Sequence, residues 1–244
     1  MRLDEALVAR GIFSSRAQAQ LAVKEGHITV NDMPAVKPAQ KISSRDAIAV
    51  SDDHQKFVSR GALKLAAALE SFEVDVQGKI CLDLGASTGG FSEVLLKGGA
   101  KKIYAVDVGV GQLHSKILRN SRVINLEKTH AKNLDRTLIG EAIDVIVCDV
   151  SFISLKKALP SALSLAAAKA VLIALVKPQF EVGPANIGKG GIVRPGRENA
   201  EGVAEGIADW LKIKTGWQPI GYIDSPIKGG DGNREFLIAA TRQS

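Results

Sequence analysis

The stretch that most constrains this chain is Ile80–Phe91, ICLDLGASTGGF. Four apolar residues (Ile80, Cys81, Leu82, Leu84) surround one acid, Asp83, and give way to a loop holding Gly85, Gly89 and Gly90. Phe91, Val94 and Leu95 then recur at i, i+3, i+4, the spacing of a helix face. A strand, a glycine turn and a helix in that order form the nucleotide-cofactor corner of a doubly wound α/β sheet. Such a corner needs further parallel strands beside it and helices over both faces.

The strands follow in order. KKIYAVDVG reads as a second strand ending at Asp107, Arg122–Asn125 as a short third, Ala142–Cys148 as a fourth ending at Asp149, and Ala170–Val176 as a fifth ending at Lys177–Pro178. A helix capped near Arg197–Glu198 runs to about Lys214, and QPIGYIDS and REFLIAAT form an antiparallel pair at the sheet's end. Upstream, SRGALKLAAALESF reads as a helix with Leu63, Ala66, Ala67 and Leu69 facing inward; a lysine on such a helix, Lys64, is ordinarily solvated. Gly188, Gly190 and Gly191 mark Asn186–Pro195 as either a mobile lid or a surface loop.

Residues 1–50 form a separable α+β unit. Leu3, Ala6 and Leu7 share a helical face that Gly11 ends; Ser14 or Ser15 caps a second helix to about Glu25; HITVND and DAIAV supply short strands. Residues 51–58 are a polar linker, and 59–244 form the large domain. A length of 244 residues with 45% hydrophobic and 24% charged residues suits this division. The net charge of +6 is compatible with a polyanionic partner, but within residues 1–50 seven Lys/Arg against five Asp/Glu leave charge uninformative.

Cys81 and Cys148 sit in apolar strands and read as buried free thiols, and the four histidines lack metal-ligand spacing. MRLDEALVAR carries charges where a signal peptide is apolar. The most apolar stretch, Leu165–Val176, contains Lys169 and falls short of the about 20 residues a bilayer span takes. A cytoplasmic protein without a membrane partner is expected.

The corner favours S-adenosylmethionine over a dinucleotide. Gly85-x-x-x-Gly89-Gly90 departs from G-x-G-x-x-G, and Asp83 just before it would oppose a pyrophosphate. An acid there suits a ligand carrying an ammonium and a sulfonium. Asp107 can take both hydroxyls of a ribose.

Chemistry in such sheets collects at the carboxyl ends of the strands. Asp149 and Lys177 end two of them. Glu235 starts an antiparallel strand and so returns to the same edge, where Lys64 can also reach. Two lysines and two acids beside a methyl donor suit transfer to a ribose 2′-hydroxyl, whose oxygen needs a base or a cation to become reactive. Lys177 is the base or alkoxide stabiliser. Asp149 and Glu235 orient the lysines, and Lys64 completes the set.

Two resemblances extend this reading. RLDEALVARGIFSSRAQAQLAVKEGHITVND, with Lys37–Pro38 after it, resembles the small RNA-binding domain named after ribosomal protein S-four. That likeness implies RNA contacts for Arg16, Gln20, Lys24 and Asn31. SRGALKL, LDLGASTGGF, AVDVG, CDVSFIS, LVKPQFE, GKGGIV and GNREF resemble the TlyA family, haemolysin-labelled S-adenosylmethionine-dependent ribosomal RNA 2′-O-methyltransferases with an FtsJ-like domain and a Rossmann-like sheet. The resemblance places the family's Lys–Asp–Lys–Glu tetrad on Lys64, Asp149, Lys177 and Glu235. It places the cofactor loop on Asp83, Gly85, Ala86, Ser87, Thr88, Gly89 and Gly90, the ribose acid on Asp107, and an adenine contact on Asn133. It further implies cytidine ribose in ribosomal RNA as the substrate. Because the chain starts close to RLDE and ends soon after its last strand, it resembles the shorter members, tied to the large subunit. The competing readings are a membrane-active cytolysin and a non-catalytic ribosome-binding factor.

Overall fold

The computed structural model describes residues 1–13, 15–24, 26–50, 57–188, 191–194, 200–229 and 232–242. The expected cap at Ser14, the helix end at Glu25, most of the linker (51–56), part of the glycine-rich segment (189, 190 and 195) and the cap at Arg197–Glu198 lie outside them. The chain divides into two compact units, Met1–Ala62 and Leu63–Ser244.

In the first unit, α1 (Leu3–Ala9) and α2 (Arg16–Lys24) pack on a small sheet of β1 (Ile28–Val30), β2 (Met33–Pro34) and β3 (Ile48–Val50), in the order β2-β1-β3. Leu3, Ala6, Leu7, Ala19, Ala22, Val23, Ile28 and Val30 form its core. Asn31 and Asp32, both at positive φ, make the two-residue turn between β1 and β2. Asp4 is fully buried and takes hydrogen bonds from Arg2, Arg16 and Gln20. The paired Arg2 guanidinium, with Gln20 and Arg16, holds its carboxyl well below the usual range.

The second unit begins within α3 (Gly61–Ser71), at Leu63, and then builds β4 (Ile80–Leu84), α4 (Gly90–Lys97), β5 (Lys102–Val106), β6 (Val123–Leu126), β7 (Ile143–Cys148), α5 (Leu155–Ser164), β8 (Ala166–Val176), α6 (Pro178–Glu181), α7 (Ala200–Trp210), β9 (Gln218–Asp224) and β10 (Phe236–Arg242). The sheet order is β6-β5-β4-β7-β8-β10-β9. The first five of these strands are parallel; β10 runs antiparallel to both β8 and β9. Central strands read as near-continuous apolar runs because helices cover both faces. Leu172, Ile173, Ala174 and Val176 of β8 are fully buried, as are Ile146, Val147 and Cys148 of β7, and each large side chain so buried contributes about 1.5–3 kcal/mol.

Two expectations change. The fifth strand begins at Ala166, earlier than the apolar run predicts. The inward face of α3 is Ala62, Leu65 and Ala68, with Lys64 buried beside them; Leu63, Ala66, Ala67 and Leu69 are only half-buried. Both cysteines are buried free thiols, and burial pushes Cys81 up to about 12 and Cys148 higher still, so neither is a nucleophile at neutral pH. Among the described residues no helix is long and apolar enough to cross a membrane.

Candidate active site

The register of the sheet brings the predicted residues to one edge. Leu84 pairs with Val106 and with Cys148, Cys148 with Ala174, and Val176 with Phe236. Residues just past those positions therefore face a common rim. They are Gly85, Asp107, Asp149 and Lys177 at strand ends and Glu235 at the start of the antiparallel β10.

The glycine loop has the backbone its sequence demands. Gly85, Ser87 and Gly89 all take positive φ, at 85°, 48° and 93°. A Cβ on Gly85 would stand 2.5 Å from the Asp149 carbonyl oxygen, so only glycine lets the loop lie this close to the end of β7. Asp107 fixes the loop from the neighbouring strand. Its carboxylate accepts from the Ser87 N–H (2.8 Å) and from the Gly109 N–H (2.7 Å). Each oxygen keeps lone-pair capacity for a ribose hydroxyl. Thr88 and Gly90 are buried at the loop's far side, where α4 begins, and Ala86 is buried as well.

Beneath the loop, Asp83 has no exposed surface. One carboxylate oxygen accepts from Ser92 Oγ at 2.6 Å; the other, Oδ1, is buried without a partner among the described residues. Burial, reinforced by the nearby Asp149 and Asp107 charges, pushes this carboxyl up to about 7. A buried acid with an unmet acceptor costs free energy unless a donor arrives. The donor set of S-adenosylmethionine fits: a cationic group for Asp83, ribose hydroxyls for Asp107, and no phosphate to oppose either acid. Asn133 is exposed in the single turn Ala131–Asn133, and its side chain makes no hydrogen bond among the described residues. Its segment starts at the rim, where Thr129 N–H bonds the Asp107 carbonyl at 2.9 Å.

Two lysine–acid pairs stand at the rim. Lys64 Nζ lies 2.6 Å from Glu235 Oε2, with side chains only 10% and 3% exposed. Gly229 makes room for that carboxylate, since a Cβ there would sit 2.5 Å from Glu235 Oε1. Lys177 Nζ lies 2.6 Å from Asp149 Oδ1, an ion pair too bent to count as a hydrogen bond, and donates to Ser151 Oγ at 2.8 Å. Burial alone would lower the Lys177 ammonium, but Asp149 and then Glu235 outweigh it, and the net shift is upward. Lys177 is therefore a cation at neutral pH. Of the two roles left open by the sequence, this charge state suits holding an oxyanion rather than taking a proton.

The four residues read as RNA contacts are brought together differently. Arg16 and Gln20 already bond Asp4, and Arg16 lies 3.5 Å from Glu5 as well. Asn31 spans Asp46 and the Ala47 N–H, tying the turn to the segment before β3. Lys24 is exposed and makes no ion pair among the described residues.

Sequence reasoning missed three residues here. Ser92 anchors Asp83, Ser151 anchors Lys177, and Phe152 follows at φ 64° with 90% of its surface exposed. The Phe152 ring rests on Phe180 at 5.1 Å between centroids. A large exposed aromatic in a left-handed backbone position is a signal only the structure carries.

Comparison with known proteins identifies the family. Residues 57–242 match the FtsJ-like methyltransferase family and residues 1–48 the S4 domain. A 16S/23S rRNA (cytidine-2′-O)-methyltransferase TlyA from Mycobacterium tuberculosis is 43% identical over 238 residues, covering 97% of this chain and 88% of that protein. Hemolysin A from Brachyspira hyodysenteriae is 40% identical over 238 residues, covering 97% and 98%. The solved structure of a hemolysin-labelled protein from Streptococcus thermophilus, 36% identical, superposes with a TM-score of 0.77 over 100% of this chain and 89% of that one. With its cofactor corner, its rim of paired lysines and acids and these likenesses, the chain belongs to the FtsJ-like methyltransferases, among the TlyA proteins.

Proposed function

We propose that this protein methylates the ribose 2′-hydroxyl of a cytidine in ribosomal RNA, using S-adenosylmethionine, in the cytoplasm where ribosomal particles are found. The observation that carries the reading is the pair of lysine–acid contacts at the strand-end rim next to the glycine loop. Such a rim serves an acceptor oxygen that must bear negative charge as it reacts.

When bound, S-adenosylmethionine would supply an electrophilic methyl group on a sulfur that can depart as a neutral thioether. The chain's own residues do the rest. Asp83 and the loop Gly85–Gly90 hold the donor, Asp107 its ribose, and Asn133 lies toward its adenine. Lys177 holds the 2′-oxygen as its proton leaves to water past the part-exposed Asp149. Lys64, fixed by Glu235, adds a second positive field at low dielectric. Alignment of acceptor, carbon and leaving sulfur supplies much of the rate. The Phe152 ring offers a stacking face for an unstacked base, the way single nucleotides of RNA are usually held.

Residues 1–50 dock the RNA, 51–58 link, and 59–244 carry the chemistry. Arg16, Gln20, Lys24 and Asn31 are the proposed contacts in the small unit, three of them after giving up an internal bond. The M. tuberculosis relative is named for both 16S and 23S RNA and a Campylobacter jejuni relative for 23S RNA; 23S RNA of the large subunit, common to both names, is the proposed substrate of this chain. A lytic function, which the hemolysin label of some relatives raises, has no observation in its favour here.

The experiment is transfer of labelled methyl from S-adenosylmethionine to purified small and large ribosomal subunits, followed by mapping of ribose methylation. Label on one cytidine 2′-oxygen, lost in Lys64→Ala and Lys177→Ala while calorimetry still shows cofactor uptake, supports the proposal. Equal activity of both variants and wild type, or no transfer to either subunit, overturns it.

A further inference from the structure

The Lys177 ammonium carries three N–H bonds and donates one to Ser151 Oγ at 2.8 Å, while Asp149 Oδ1 stands 2.6 Å away as an ion-pair partner outside hydrogen-bond geometry. Ser151 is exposed, and this is the one hydrogen bond its side chain makes among the described residues. It is not a helix cap: Ser154 caps α5 by accepting from the Lys156 N–H, and Glu181 bonds both Ser154 Oγ and the Leu155 N–H. The turn that brings Ser151 back over Lys177 passes through Phe152 at φ 64°. A left-handed non-glycine residue costs about 1–3 kcal/mol and persists where the surroundings enforce it.

We propose that Ser151 is a positioning residue for Lys177: its directional hydrogen bond fixes the rotation of the ammonium so that a remaining N–H points to the reacting oxygen. Without the hydroxyl the ammonium rotates freely about its Cε–Nζ bond, and the productive orientation becomes one among several. The role deepens the methyl-transfer reading and rests on it. No new bond is made or broken by Ser151; it accepts from Lys177 throughout.

The test compares wild type with Ser151→Ala and Ser151→Thr in steady-state methyl transfer to ribosomal subunits across pH, with calorimetric S-adenosylmethionine binding and melting temperature alongside. In Ser151→Ala, kcat is expected to fall about tenfold or more, the scale of one hydrogen bond to a charged group. The KM for RNA, cofactor affinity and melting temperature should stay at wild-type values. The basic limb of the kcat profile should move to lower pH, because the ammonium has lost an acceptor that favours its charged form. Ser151→Thr, which keeps the hydroxyl, should restore both. An active wild type with an unchanged kcat and an unmoved basic limb in Ser151→Ala overturns the inference alone. A wild type that transfers no methyl to either subunit overturns the reading beneath it.

Discussion

Asp83→Asn is the perturbation that most directly tests the logic of the cofactor corner. The wild-type carboxyl sits near 7 in the folded chain because it is buried without a second donor, against 3.8 for the free side chain. About three pKa units at about 1.4 kcal/mol each correspond to about 4 kcal/mol. The sign follows from linkage: a carboxyl raised by folding leaves stability intact at acid pH and removes it as pH climbs from about 4 through about 7. Asparagine is neutral at every pH and can still accept from Ser92. Without cofactor, Asp83→Asn should therefore melt above wild type at pH 8, by roughly 10 °C for a unit of this size, and the gap should close toward pH 4.5. S-adenosylmethionine should reverse the order at pH 8, raising the melting point of wild type and leaving the variant almost unmoved. Wild-type affinity for the cofactor should itself weaken as pH falls below 7. Scanning calorimetry of both proteins from pH 4.5 to 8.5, with and without cofactor, reads all of this. Parallel melting curves for the two proteins across that range would refute the reasoning.

Gly85→Ala should cost at least about 2 kcal/mol, since the new Cβ meets the Asp149 carbonyl at 2.5 Å in a backbone region alanine avoids; a denaturant midpoint at the wild-type value would contradict the close approach. Glu235→Gln removes the acid paired with buried Lys64 and should cost about 3–5 kcal/mol in denaturation, whereas Lys64→Met with Glu235→Leu should recover most of the stability and none of the activity. A double variant as unstable as the single one would count against the pairing. Phe152→Ala should lower kcat/KM for RNA by about 5- to 150-fold, the range of one base stack, with the melting temperature unchanged because the ring is 90% exposed. Wild-type kcat/KM in that variant would remove Phe152 from RNA binding.

The strand ends were legible because parallel strands announce themselves twice, by an unbroken apolar run and by the polar residue that follows it. Asp107, Asp149 and Lys177 fall one residue past β5, β7 and β8, and Glu235 one residue before β10. What periodicity could not read was the face of α3. Its alanines give two sides of nearly equal apolarity, and Lys64 looks like the solvent marker until it meets Glu235, 171 residues away. Local pattern carries no information about a partner at that distance. Ser151 and Phe152 were missed for the opposite reason: a serine and a phenylalanine after a strand are ordinary, and only the left-handed turn between β7 and α5 makes one a ligand of Lys177 and the other an exposed face. In the small unit, the RLD run quoted for the family likeness holds a buried carboxylate, Asp4, which accepts from Arg2 and Gln20.

The reversed strand β10 has a consequence for how the protein comes into being. The chain leaves its own ribosome amino end first, so β4, the glycine turn and Lys64 emerge long before Glu235. Until β10 pairs with β8 and β9, a nascent molecule lacks the acid that pairs with buried Lys64. The Lys64–Glu235 contact thus forms late in synthesis, with the docking of a single segment.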